Sequence, residues 1–91
     1  MAHYRRERSF LRSLCKGHIQ ELIEDVGWSH FQCVLVKKRY LEFKSVPMIC
    51  METHITPTTL NRHFIDIFKK LESYLIHNKE TEIGTLYRDF R

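Results

Sequence analysis

The chain has few of the residues that active-site loops and disulfide scaffolds are built from. Its three glycines, Gly17, Gly27 and Gly84, leave little material for a phosphate-cradling loop, and G-x-S-x-G, H-E-x-x-H and C-x-x-C are all missing. No enzyme chemistry and no cofactor is therefore expected. The cysteines, Cys15, Cys33 and Cys50, are odd in number and irregularly spaced, which excludes a disulfide framework and fits a reducing, intracellular compartment, cytoplasm or nucleus. No apolar run approaches the roughly 20 residues that cross a bilayer, so no membrane partner is expected. The opening MAHYRRERSFLRSLCK lacks the apolar core of a secretory signal. Its arginines suit a mitochondrial transit segment, but Glu7 interrupts them and the helix they begin runs on into core-like residues.

What is present suffices for one folded domain. Hydrophobic residues make up 43% of the chain and charged residues 29%, outside the range of disordered or low-complexity sequence. We read residues 1–91 as a single domain with a basic N-terminal extension at 1–8, a core at 9–78 and a C-terminal helical appendage at 79–91. A net charge of +4 favours acidic partners without naming them.

The apolar residues Leu11, Leu14, Cys15, Ile19, Leu22, Ile23 and Val26 recur at three and four residue steps. They predict one helix from Ser9, as N-cap, to a stop at Gly27. The next runs, WSHFQCVLV, YLEFKSV and MICMETHI, are rich in β-branched and aromatic residues and read as three strands in a meander. In the third, Ile49, Met51, Thr53 and Ile55 alternate with Cys50, Glu52 and His54, as one core face and one wet face. Thr56-Pro57 then opens a second helix along Leu60, Phe64, Ile67, Phe68, Leu71, Tyr74 and Leu75. The expected fold is α+β, in the order α-β-β-β-α. A three-stranded antiparallel sheet is covered on one face by two helices, with a short C-terminal amphipathic helix added.

This order and the Gly27-Trp28 break resemble those of double-stranded RNA-binding domains. The resemblance is one of topology alone: that family carries a lysine-rich cluster at the start of its second helix, and residues 57–63 here hold one Arg and no Lys. No family membership is read from it.

Two basic groups are the candidate nucleic-acid contacts. Arg5, Arg8, Arg12 and Lys16 form a ridge on helical geometry, and the ridge opposes the helix macrodipole, so helix stability does not account for it. Lys37, Lys38 and Arg39 form the second group, at a turn. The leading expectation is a small basic regulatory protein that binds nucleic acid, RNA included, through phosphates with little sequence specificity. The alternative is a protein-interaction module or inhibitor, a homodimer among the options, meeting an acidic surface. It would use the open sheet face or the tail, where Ile83, Leu86, Tyr87 and Phe90 share a face and Ile65 and Ile76 on the second helix offer a line to cover.

Three further constellations are weighed against plainer readings. Cys15, His18, His30 and Cys33 supply zinc-type ligands at C-x2-H-x11-H-x2-C spacing, but Cys15 and His18 fall on the apolar stripe of the first helix and Cys33 in a strand buried on one side, and no metal is expected. Cys50, Glu52 and His54 suggest a nucleophile and base, yet i and i+4 on a strand stand roughly 13 Å apart. Thr56-Pro57 suits proline-directed phosphorylation, but helix capping explains it without modification.

Overall fold

A computed structural model describes residues 4–90, and among them the chain is entirely helical, with six α-helices and no strand. The expected α+β fold and its sheet are thus overturned, and the open sheet face offered as a docking surface does not exist. The helices are α1 (Arg5–Ser13), α2 (Lys16–Asp25), α3 (His30–Val36), α4 (Val46–Thr53), α5 (Pro57–His77) and α6 (Glu82–Asp89), with a π-helical turn at Lys37–Leu41 continuing α3.

The single helix expected from Ser9 to Val26 is two helices, and the reason lies in geometry. Nine residues at about 100° each place Phe10 and Ile19 on opposite sides of a straight helix, yet both are 1% exposed in one core. The chain breaks between them: Leu14 and Cys15 are extended, and Ser13 Oγ donates back to the Phe10 carbonyl at 2.7 Å. Arg5 to Arg8, read as part of an extension, belong to α1, where Glu7 is buried.

The segment read as a meander holds α3, the π-helical turn and α4, and its caps explain the outcome. Ser29 and Gln32 form a reciprocal capping box at the start of α3, and Ser45 accepts from the Met48 amide at the start of α4, with Pro47 in its first turn. β-branched residues lower helix propensity only slightly, and such caps together with burial outweigh it. The alternation in MICMETHI is not a buried face: Ile49 is fully buried, whereas Met51, two residues on, is 73% exposed.

The core gathers around α5. Leu60, Phe64, Ile67, Phe68, Leu71 and Leu75 form its buried stripe, Thr56 caps its first turn by accepting from the Thr59 amide, and Trp28 Nε1 donates to the Ile67 carbonyl at 2.9 Å. The helix α6 folds back on the other end of the chain. Ile83 is buried, Phe10 meets the rings of Tyr87 and Phe90 edge-on at 5.0 and 5.4 Å, and the Tyr87 hydroxyl donates to the Glu7 carboxylate. The tail does not cover the line expected on α5, because Ile76 remains 52% exposed and Leu86 is exposed too. Ile65 is half-buried. Gly84 makes this docking possible: a Cβ there would stand 2.0 Å from the Asn78 carbonyl oxygen.

Candidate functional site: an arginine-lined groove

The two basic groups meet. Arg8 and Arg12, one turn apart on α1, stand across from Arg39 of the π-helical turn, and the cleft between them has a volume of about 320 Å³. Val46, Leu60, Phe64 and Phe68 supply an apolar floor, with Pro57 and Asn61 at the start of α5. A second cleft of about 220 Å³ shares Arg12, Arg39 and Tyr40 with the first and adds Phe43, so the two adjoin as one groove.

The π-helical turn makes this possible. Its wider ring, closed by the Glu42 amide on the Lys37 carbonyl at 2.9 Å, buries Tyr40 in the core while its neighbour Arg39 lines the cleft. Arg39 also donates to the Lys44 carbonyl at 2.9 Å. In the loop so held, Phe43 adopts a left-handed conformation (φ 57°) and is 72% exposed. A non-glycine residue in that region is strained, and a bulky apolar side chain held out in water adds to the cost.

Charge is unevenly spent across the surface. Lys38 is taken by Glu52 at 2.6 Å, Lys44 by Glu42 and Glu52, and Lys70 by Asp66. Hydrogen bonds donated by Lys38 and Lys44 hold the Glu52 carboxyl below its usual range, the bonds that Lys44 donates to Glu52 and Glu42 raise Lys44 in turn, and the Gln32 amide lowers Asp66. Arg5, Arg8, Arg12, Lys16, Lys37 and Arg39 pair with no carboxylate among the described residues. Arg8 stacks over the Phe68 ring, 5.5 Å from its centre. Burial pushes the Tyr40 phenol up, against the opposing pull of Arg39, Arg8 and Arg12, so its neutral hydroxyl is held beside three cations.

Of the seven candidate nucleic-acid contacts, the groove therefore gathers Arg8, Arg12 and Arg39. Arg5 and Lys37 lie exposed, Lys16 starts α2 beyond the break, and Lys38 is neutralised by Glu52. Phe43 and Asn61 went unmarked in the sequence. The one signal for Phe43 is its setting between Glu42 and Lys44, which suits an exposed position.

The zinc-type residues do not assemble, and no group of three or more His, Cys, Asp or Glu suited to a metal ion occurs among the described residues. Cys15 and His18 are in contact, Sγ to Nδ1 3.4 Å, and His18 Nε2 is 3.3 Å from Glu82. Cys33 instead donates to the Ile23 and Trp28 carbonyls, both at 3.7 Å, and His30 is exposed on α3. Cys50, Glu52 and His54 lie on α4 and its C-cap rather than on a strand. Thr56 is a helix cap: its hydroxyl oxygen accepts from the Thr59 amide and its hydroxyl donates to Thr59 Oγ1. No helix of the described residues is long and apolar enough to cross a membrane. No protein-family model, no curated protein and no solved structure matches this chain.

Proposed function

We propose that the protein binds single-stranded nucleic acid along the groove, with Arg8, Arg12 and Arg39 on phosphates and the exposed Phe43 ring stacked on a base. The observation that carries this reading is the convergence of three arginines with no carboxylate partner on a groove that also presents a strained, solvent-exposed aromatic. Guanidinium groups suit phosphate because their planar forks donate two parallel hydrogen bonds. Every base has a π-face, so stacking adds affinity without sequence choice. A single strand fits better than a duplex, because the bases of a duplex are stacked internally and closed to Phe43.

Fluorescence anisotropy with a labelled single strand and a labelled duplex tests this at several salt concentrations. Three phosphate contacts correspond to a slope of roughly −2 in log K against log salt for a single strand. Reversing Arg8 and Arg12 to Glu should abolish low-salt binding while far-ultraviolet circular dichroism stays unchanged. Wild-type protein that binds neither probe below millimolar concentration at low salt rules the reading out.

A second reading rests on a separate observation. Val46 and Met48 on α4 are partly exposed and Met51 is largely so, and a helix that turns apolar side chains to water suits a protein partner. An acidic amphipathic segment would place its apolar side on α4 and its carboxylates on the arginines. Its binding would persist in salt that releases nucleic acid.

A further inference from the structure

Just beyond the C-terminal end of α1, the break that precedes α2 exposes a thiol with a base beside it. We infer that Cys15 is a reactive thiol, activated by His18 and positioned through Glu82, that exchanges with small-molecule disulfides. The inference is independent of the groove.

Hydrogen-bond chemistry fixes the roles. A carboxylate only accepts, so in the 3.3 Å contact with Glu82 the His18 Nε2 carries the proton. In a neutral imidazole this leaves Nδ1 with its lone pair, and Nδ1 is the atom 3.4 Å from Cys15 Sγ. Thiol, imidazole and carboxylate thus stand in the order in which a base takes a thiol proton and a third group orients the base. The carboxylate comes from α6, 64 residues further along the chain, so the arrangement is a product of the fold.

Access is open. Cys15 is exposed, and the residue two positions on is Gly17, where a Cβ would stand 3.9 Å from the sulfur. A longer side chain at that position would cover the thiol. The other two cysteines serve as internal contrasts: Cys33 is half-buried with its thiol on two carbonyls, and Cys50 packs against the core.

In the exchange, the Cys15 thiol gives its proton to Nδ1 and the thiolate attacks one sulfur of a small disulfide. The S–S bond of the reagent breaks, a mixed disulfide forms on Cys15, and the departing thiolate recovers the proton from the imidazolium. One disulfide is consumed and one is formed, so no other oxidant is needed.

The test is the rate of reaction of the intact, reduced protein with glutathione disulfide at pH 7, with each cysteine followed by peptide mass mapping. A short cysteine peptide serves as the unassisted reference. Cys15 should react first and roughly tenfold faster than the peptide. His18→Ala should return it to the peptide rate, Glu82→Gln should leave it between the two, and both variants should show a pH–rate profile moved towards that of the peptide. Gly17→Leu should slow the reaction with His18 in place. A variant that loses helical circular dichroism is replaced by His18→Gln, which keeps a polar side chain but no base. Wild-type Cys15 reacting at the peptide rate, or an unchanged rate in a folded His18 variant, overturns the inference.

Discussion

Arg6 and Arg12 belong to one helix, yet the two ends of that helix treat a guanidinium in opposite ways. Arg6 is used up by the fold: it donates to the Tyr87 carbonyl at 2.7 Å and the Phe90 carbonyl at 3.2 Å, and its Cζ lies 4.4 Å from the centre of the Tyr87 ring. Arg12 is exposed, forms no ion pair among the described residues and lines both halves of the groove. The closure between α1 and α6 is therefore a region where polar groups stabilise the fold, and the groove is one where they are left for something else. Mutations should separate the two: changes at the closure should move stability, and changes at the groove should move binding.

The largest expected effect lies in the closure. Gly84→Ala puts a methyl group against the Asn78 carbonyl oxygen, which is backbone and has little room to retreat. Overpacking of this kind costs about 3 kcal/mol, enough to lower Tm by more than 10 °C in a domain of about this size. Thermal unfolding followed by circular dichroism measures it, and an unchanged Tm would mean that α6 is not held where the glycine requires.

Next is Phe43, where the two quantities should move in opposite directions. Phe43→Gly relieves the left-handed backbone and should stabilise the protein by about 1 kcal/mol. It should also weaken single-strand binding by about 1–3 kcal/mol through lost stacking. A matched loss of both would place Phe43 among the residues that hold the fold.

The arginines of the groove come third. Arg12→Ala and Arg39→Ala should each reduce the salt slope by roughly 0.7, read from anisotropy titrations. Arg39→Ala should in addition loosen the loop that presents Phe43, through the lost bond to the Lys44 carbonyl, whereas Arg12→Ala should leave Tm unchanged. Arg6→Ala sharpens the contrast, since it should lower Tm and spare the slope.

The smallest effect concerns pH. Burial first, and then the hydrogen bond to Glu7, push the Tyr87 phenol well above its ordinary range, and burial also raises Tyr40. A phenol whose folded value is raised stabilises fully below the unfolded value of about 10 and loses that contribution as pH rises beyond it. Stability should therefore decline above about pH 10. Tyr87→Phe should flatten that decline at the expense of the Glu7 bond, as urea unfolding at pH 9 and pH 11 would measure.

The helices that were legible in the sequence are those whose own residues carry the periodicity. The stripe from Leu60 to Leu75 and the Thr56-Pro57 start of α5 stand as read, as does the amphipathic segment that becomes α6. The stretch from Trp28 to Ile55 is helical despite its strand-like texture because Val, Ile, Phe and Tyr favour strands only by small increments. The Ser29-to-Gln32 capping box and the Ser45 cap, both visible in the sequence, point to the helices that form. The ridge from Arg5 to Lys16 was legible as charge but not as a surface, since it presumed one continuous helix where the chain bends at Leu14 and Cys15.

By itself the sequence determined the basic balance, the lack of loop-built catalytic motifs and the long α5 stripe, because each depends on composition or on neighbours along one helix. Tertiary structure decided the rest. It brought Arg39 to Arg8 and Arg12, placed Glu82 on His18, and turned Phe43 outward. Each of these depends on how helices far apart in sequence cross, and on a break and a π-helical turn whose position is set by the burial of Phe10, Ile19 and Tyr40 in one shared core.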